Sequence, residues 1–273
     1  MKIKLVAVDM DGTVLRTDKT VSARTAAALN RAAERGCAVV PASGRVMNNL
    51  PKSVVSVPGV RYAVTSNGAS VVDLAERRSV YTDPLGGETP GLVRTLLGEG
   101  FFTEAYFGGS AYADRTAFGA LVRLDPPEEL LNFVRSSQIF VDDLPGYLES
   151  RGASVEKLNV PFVPKEDGGA LLRRLTATGK YALCSSLWGN IEITRAGCSK
   201  GKALGKLIGM LGIRREEVLA IGDGGNDLEM LRFAGVGVAM KNADADVLAA
   251  ADFVTASNDE DGAALAIEKF ALA

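Results

Sequence analysis

The chain has 273 residues, enough for a large core and for two domains, and 47% of them are hydrophobic against 23% charged, which leaves little room for disorder or a fibrous repeat. With 31 basic against 33 acidic side chains and a net charge of -2, it lacks the basic excess of a general nucleic-acid binder, so no nucleic-acid partner is expected. The absence of histidine excludes a Ser-His-Asp triad, a histidine-paired cysteine, a HExxH zinc site and a phosphohistidine intermediate.

The first β-rich run, Ile3 to Val8, has a brief apolar stretch, Leu5 to Val8, and stops at Asp9 before a polar segment, Asp9-Met10-Asp11-Gly12-Thr13. It reads as a buried strand running into a loop and is too short for the apolar region of a signal peptide. Ser22 is a candidate N-cap for a helix that carries Ala26, Leu29 and Ala33 on one face and ends at Gly36. A second strand, Cys37 to Ala42, ends at Ser43-Gly44-Arg45, and a third, Tyr62 to Thr65, ends at Ser66-Asn67-Gly68. Strands alternating with helices predict a parallel sheet with right-handed crossovers.

From about Thr82 the texture changes, and most of the aromatic residues fall in the stretch that follows. Phe101 to Phe107 and Ala111 to Ala113 flank Gly108-Gly109 as a hairpin would. Residues 190–194 read as a strand leading back to the first system. The earlier grammar then resumes: a helical stripe of Ala203, Leu204, Leu207, Ile208 and Leu211 closed by Gly212, and a strand, Val218 to Ile221, ending at Gly222-Asp223. A helix over residues 226–234 and short strands at 236–240 and 253–255 follow. The expected organisation is a discontinuous α/β core, residues 1–82 and 190–273, with an inserted α/β cap at 83–189. The three cysteines, Cys37, Cys184 and Cys198, follow no disulfide or zinc spacing, and no apolar run reaches membrane-spanning length, so a cytoplasmic protein without a membrane partner is expected.

Ligands of open parallel sheets bind outside the carboxyl ends of the strands. Here those ends carry Asp9 and Asp11, Ser43 and Gly44, and Asp223 with Asn226 and Asp227. Crowded carboxylates raise one another's pKa unless a hard cation sits among them, and oxygen donors without histidine or thiolate suit magnesium. Lys200 stands in the first turn of a predicted helix, where the dipole disfavours a cation unless an anion lies in front of it. Taken alone, Lys200 reads as an ordinary solvated lysine, and a single strand-end aspartate as a turn former.

Four ordered motifs, Asp9-Met10-Asp11-Gly12-Thr13, Ser43-Gly44-Arg45, Lys200-Gly201 and Gly222-Asp223-Gly224-Gly225-Asn226-Asp227, resemble those of the haloacid dehalogenase-like phosphatases. The Cof-type branch, with a large α/β cap between the second and third motifs, is the nearest match. Asn67-Gly68-Ala69 and the stretch from Ser257 to Gly262 also resemble segments of that branch. The resemblance implies a Rossmann-like core and a phosphatase of small phosphorylated metabolites, sugar phosphates foremost. Asp9 would be the nucleophile and Asp11 the general acid and base. Magnesium would be held by Asp9, Asp223 and the backbone carbonyl of Asp11, with Asp227 in or behind that shell. Phosphate would be held by Ser43, Gly44, Lys200, Asn226 and the Met10 backbone. Two rival readings share much of this pattern: a phosphosugar mutase, and a phospho-acceptor regulatory domain, which is about half this length and spreads its acidic pair and acceptor over different strands.

Overall fold

The computed structural model describes residues 2–185 and 189–273. Leu5–Val8 (β1) is fully buried on both faces, as a central parallel strand must be, and Ala23–Glu34 (α1) follows it, with Ser22 accepting the N–H of Thr25 as its cap. Ala38–Pro41 (β2), the single turn Lys52–Val55 (α2), Tyr62–Thr65 (β3), Ser70–Asp73 (β4) and Arg78–Thr82 (β5) complete the first segment. The next runs through Thr89–Gly98 (α3), Glu104–Phe107 (β6), Ser110–Asp114 (β7), Phe118–Arg123 (α4), Glu128–Ser137 (α5), Gln138–Val141 (β8) and Leu144–Arg151 (α6). Lys157–Val160 (β9), Lys165–Ala177 (α7), Tyr181–Cys184 (β10) and Ile191–Arg195 (β11) end it. Last come Lys200–Leu211 (α8), Val218–Gly222 (β12), Leu228–Phe233 (α9), Val236–Ala239 (β13), Ala245–Ala250 (α10), Phe253–Val254 (β14) and Gly262–Phe270 (α11).

The chain divides into two compact units, one made of the residues up to Tyr81 with Ser199–Ala273, the other of Thr82–Cys198. In the first, the strands run β14-β13-β12-β1-β2, all parallel. Alternate residues of β1 face opposite cores: Val6 and Val8 pack with Leu29 of α1 and Ile267 of α11, and Leu5 and Ala7 with Leu204 and Leu207 of α8. Helices thus cover both faces of a Rossmann-like α/β sheet.

The third predicted strand exists but lies in another sheet. β3 pairs antiparallel with β4 in a small sheet, β3-β4-β5, and touches the parallel sheet by one bridge, Ala42 to Val64. The connection from β2 to β3, residues 42–61, holds no α-helix longer than the single turn α2, and β4 follows β3 after a short turn over residues 66–69, so β3 takes the antiparallel hairpin partner that the chain brings next to it.

The second unit holds a six-stranded sheet, β10-β11-β9-β6-β7-β8, antiparallel except for β7 with β8. The hairpin over Gly108-Gly109 is β6 and β7. One sheet face, with Ala105, Leu158, Val160, Ile191 and Ile193, packs under α3, α6 and α7. Residues 190–194 fall on a strand after which the chain returns to the first unit, but β11 itself belongs to the second unit's sheet, paired with β9 on one side and β10 on the other, because Ile191 and Ile193 complete this core. The second unit therefore extends to Cys198, beyond the boundary expected after residue 189. No helix among the described residues is long and apolar enough to cross a membrane.

Candidate active site

Asp9 follows β1 directly, and its backbone N–H donates to the Ile221 carbonyl at 2.9 Å, so the chain leaves the sheet edge beside the end of β12. Asp223 leaves β12 at that same edge. A short turn, Gly225–Asp227, returns Asp227 toward it: Asp227 Oδ2 accepts the backbone N–H groups of Asp223 at 3.0 Å and Gly224 at 3.1 Å. The carboxylates of Asp9, Asp223 and Asp227 thereby offer oxygen atoms within 4.8 Å of one another.

Lys200 opens α8 and is fully buried. Its Nζ donates to Asp9 Oδ1 and to Asp227 Oδ1, both at 2.7 Å, the length of charge-assisted bonds. Lysine at a helix start, unfavourable for the dipole, is offset by these two anions. Burial works against its ammonium, yet Asp227 and Asp9 outweigh that and hold its pKa above the ordinary value.

Three carboxylates against one ammonium leave an excess of negative charge. Burial, with Asp227 and Asp223 nearby, pushes Asp9 well above the usual carboxylate range in spite of Lys200. Asp223 is pushed up to about 6, mainly by burial, although Thr13 Oγ1 donates to its Oδ1 at 2.7 Å. Hard oxygen donors, crowded and carrying surplus negative charge, fit a small divalent cation such as magnesium. Gly12, at φ 86°, makes room for this: a Cβ there would lie 2.2 Å from Asp223 Oδ2.

Asp11 belongs to a different charge group. Arg45 grips it with two bonds, Nε to Oδ2 and Nη2 to Oδ1, each 2.9 Å, and Lys19 Nζ reaches Oδ1 at 3.2 Å. Burial would raise its pKa, but Arg45 and Lys19 hold it below the usual value. The side chain is turned to these cations and takes no part in the acidic group of Asp9, Asp223 and Asp227. Met10 has its side chain in the apolar core, and only its backbone is available to a ligand. Ser43 is buried at the end of β2, where its N–H donates to the Val64 carbonyl at 2.9 Å and its Oγ accepts the Arg45 N–H at 3.2 Å, with Gly44 between. Asn226 Nδ2 donates to Asn67 Oδ1 at 3.1 Å.

The structure thus joins Asp9, Lys200, Asp223 and Asp227 directly, and links Asn226 to the Ser43 turn through Asn67, whose N–H donates to the Ser43 carbonyl at 3.1 Å. Three contributors had no assigned role in the sequence reading: Thr13, Arg45 and Asn67. Each stands inside a motif segment, so position was the signal available, but the partner of each is remote in sequence.

The chain matches the haloacid dehalogenase-like hydrolase family over residues 6–267. It is 28% identical to a 5-amino-6-(5-phospho-D-ribitylamino)uracil phosphatase of Bacillus subtilis, over 99% of this chain and 96% of that one. It is also 28% identical to a pyridoxal phosphate phosphatase of Escherichia coli, over 97% of each. A solved sugar phosphatase of subclass IIB is similar in fold, with a TM-score of 0.80 and 25% identity over 99% of this chain and 100% of that one. With the family matched along nearly its whole length and an acidic triad at the sheet edge, two of its members bonded to a buried lysine, this chain belongs to the haloacid dehalogenase-like hydrolases, in their Cof-type branch, and is a phosphatase.

Proposed function

We propose that this phosphatase hydrolyses small phosphorylated metabolites, sugar phosphates foremost, with magnesium as its metal and an aspartyl-phosphate on Asp9 as intermediate. The observation that carries the reading is Lys200, buried between Asp9 and Asp227 with Asp223 beside them. A dianionic phosphoryl group needs fixed positive charge in a dry site, and a buried lysine bonded to the nucleophile candidate supplies it.

Asp9, Asp223 and the Asp11 backbone carbonyl would hold the metal, with Asp227 beside them. When bound, magnesium supplies positive charge that polarises the phosphoryl oxygens and offsets the carboxylate repulsion. Lys200 favours the ionised form of Asp9 against its burial and aims the side chain through the bond to Oδ1, so that a carboxylate oxygen is presented to phosphorus. Ser43, Gly44, Asn226 and the Met10 backbone donate hydrogen bonds to the phosphoryl oxygens. Asp11 needs a proton to give to the leaving oxygen, and Arg45, which holds both of its carboxylate oxygens, must loosen for that step. Once it has lost that proton, Arg45 and Lys19 favour the ionised form, which is the base required to activate water.

The second unit is read as the specificity cap. Its sheet carries a polar row on the face opposite the apolar core: Tyr106 Oη and Asn159 Nδ2 both donate to Glu104 Oε2 at 2.8 Å, and Asn190 Nδ2 donates to Asn159 Oδ1 at 3.1 Å. Glu104 Oε1 is buried without a hydrogen-bond partner. Such donors and acceptors support a hydroxyl-rich leaving group.

The test uses Asp11→Asn with p-nitrophenyl phosphate and magnesium. Nitrophenolate leaves without protonation, so attack by Asp9 proceeds, while water lacks its base and the intermediate accumulates. Intact mass should show one added phosphoryl group, labile to hydroxylamine, and Asp9→Asn should show none. Label on another residue, or wild-type turnover of alkyl phosphates by Asp11→Asn, would refute the assigned roles.

A further inference from the structure

Ser66, Asn67 and Gly68 lie between β3 and β4 with φ of 51°, 57° and 96°, three successive residues in the left-handed region. For Ser66 and Asn67 that conformation crowds the Cβ against the following carbonyl, so the surroundings must enforce it. Both are buried, and neither β4 nor the small sheet requires the strain, because an exposed two-residue turn would join the strands.

The segment is instead tied to three motif segments at once. The Ser66 N–H donates to the Arg45 carbonyl at 2.9 Å and the Asn67 N–H to the Ser43 carbonyl at 3.1 Å. Gly68 lies against the start of α8, where a Cβ would come within 2.1 Å of the Ser199 carbonyl oxygen and 2.7 Å of the Lys200 nitrogen. The Asn67 side chain then accepts from Asn226 Nδ2.

We propose that Asn67 is a positioning residue, which fixes the Asn226 amide so that its second Nδ2 hydrogen faces the phosphoryl group. The proposal rests on the reading of Asn226 as a phosphate ligand. An amide has two donors on one side and an acceptor on the other. Bonded to Asn67 Oδ1, the Asn226 amide keeps one N–H for an anion; without that acceptor the flipped orientation, which presents its own carbonyl oxygen to the anion, becomes accessible.

The experiment is a double-mutant cycle of Asn67→Gly with Asn226→Ala, read as kcat/KM for p-nitrophenyl phosphate and as Ki for inorganic phosphate. Glycine accepts φ 57°, so the variant loses the amide while keeping the backbone conformation. One hydrogen bond corresponds to roughly threefold to tenfold, so Asn67→Gly should lower kcat/KM and raise Ki by that factor. In the Asn226→Ala background the same substitution should change either value less than about twofold. Additive losses, or wild-type values for Asn67→Gly beside an impaired Asn226→Ala, overturn the positioning role alone. Wild-type values for Asn226→Ala remove the phosphate role of Asn226, and the positioning role with it.

Discussion

Replacing Lys200 by methionine keeps the apolar stem and removes the charge. In the metal-free protein two charge-assisted bonds of 2.7 Å disappear, and Asp9, Asp223 and Asp227 remain together without the ammonium. Breaking a buried pair from one side costs about 3 to 5 kcal/mol, because the remaining charge is desolvated and unpaired. For a chain of this size each kcal/mol moves the melting temperature by ~2 to 4 °C, so Lys200→Met in chelator should melt roughly 6 to 20 °C below the parent. The pH dependence has a definite sign. Lys200 lowers the pKa of Asp9, and its loss raises the folded-state value further above the unfolded one. The native variant then binds more protons than its unfolded chain, and its stability falls as pH rises through that range. The deficit should therefore be smaller at about pH 5 than at about pH 8. Thermal unfolding of both proteins in chelator across that range measures it, and added magnesium should narrow the gap by returning positive charge. A variant as stable as the parent at the alkaline end, or a deficit largest in acid, would refute the reading of the site as an excess of negative charge held by one lysine.

Thr13→Val keeps shape but removes the hydroxyl that donates to Asp223 at 2.7 Å, and the freed carboxylate should bind magnesium about 10-fold to 100-fold more weakly. Calorimetric titration with magnesium checks this, and an unchanged affinity would show that Thr13 does not orient Asp223. Away from the site, the Glu217 carboxyl is held down to about 2 by the Arg214 guanidinium and N–H and by Lys4. Because the folded pKa is depressed, its contribution is complete above the unfolded value near 4.5 and is lost as pH falls toward 2. The melting difference between the parent and Glu217→Gln should thus be level at neutral pH and shrink in acid; a difference that widens in acid would contradict the assignment.

What the sequence determined by itself was what local pattern can encode. The all-apolar run before Asp9, the cap at Ser22, the glycine after α8 and the hairpin over Gly108-Gly109 each depend on residues a few positions apart, and each element formed where the pattern put it. The motif residues at strand ends were legible for the same reason: a parallel sheet delivers the residue after every strand to one edge. Pairing and burial were decided only in three dimensions. Residues 62–65 and 190–194 read as strands from composition, yet which sheet received them depended on neighbours that the strands themselves do not name. The place of Lys200 in the first turn of α8 and in its motif pointed to an anion, but that its partners are Asp9, 191 residues away, and Asp227 was decided by packing. Thr13 finds Asp223 across 210 residues and Asn226 finds Asn67 across 159. Hydrogen bonds and charge pairing act over a few ångströms and are indifferent to separation along the chain, so residue type can show that a side chain is suited to such a contact, and only the packed sheet and helices bring its partner within reach.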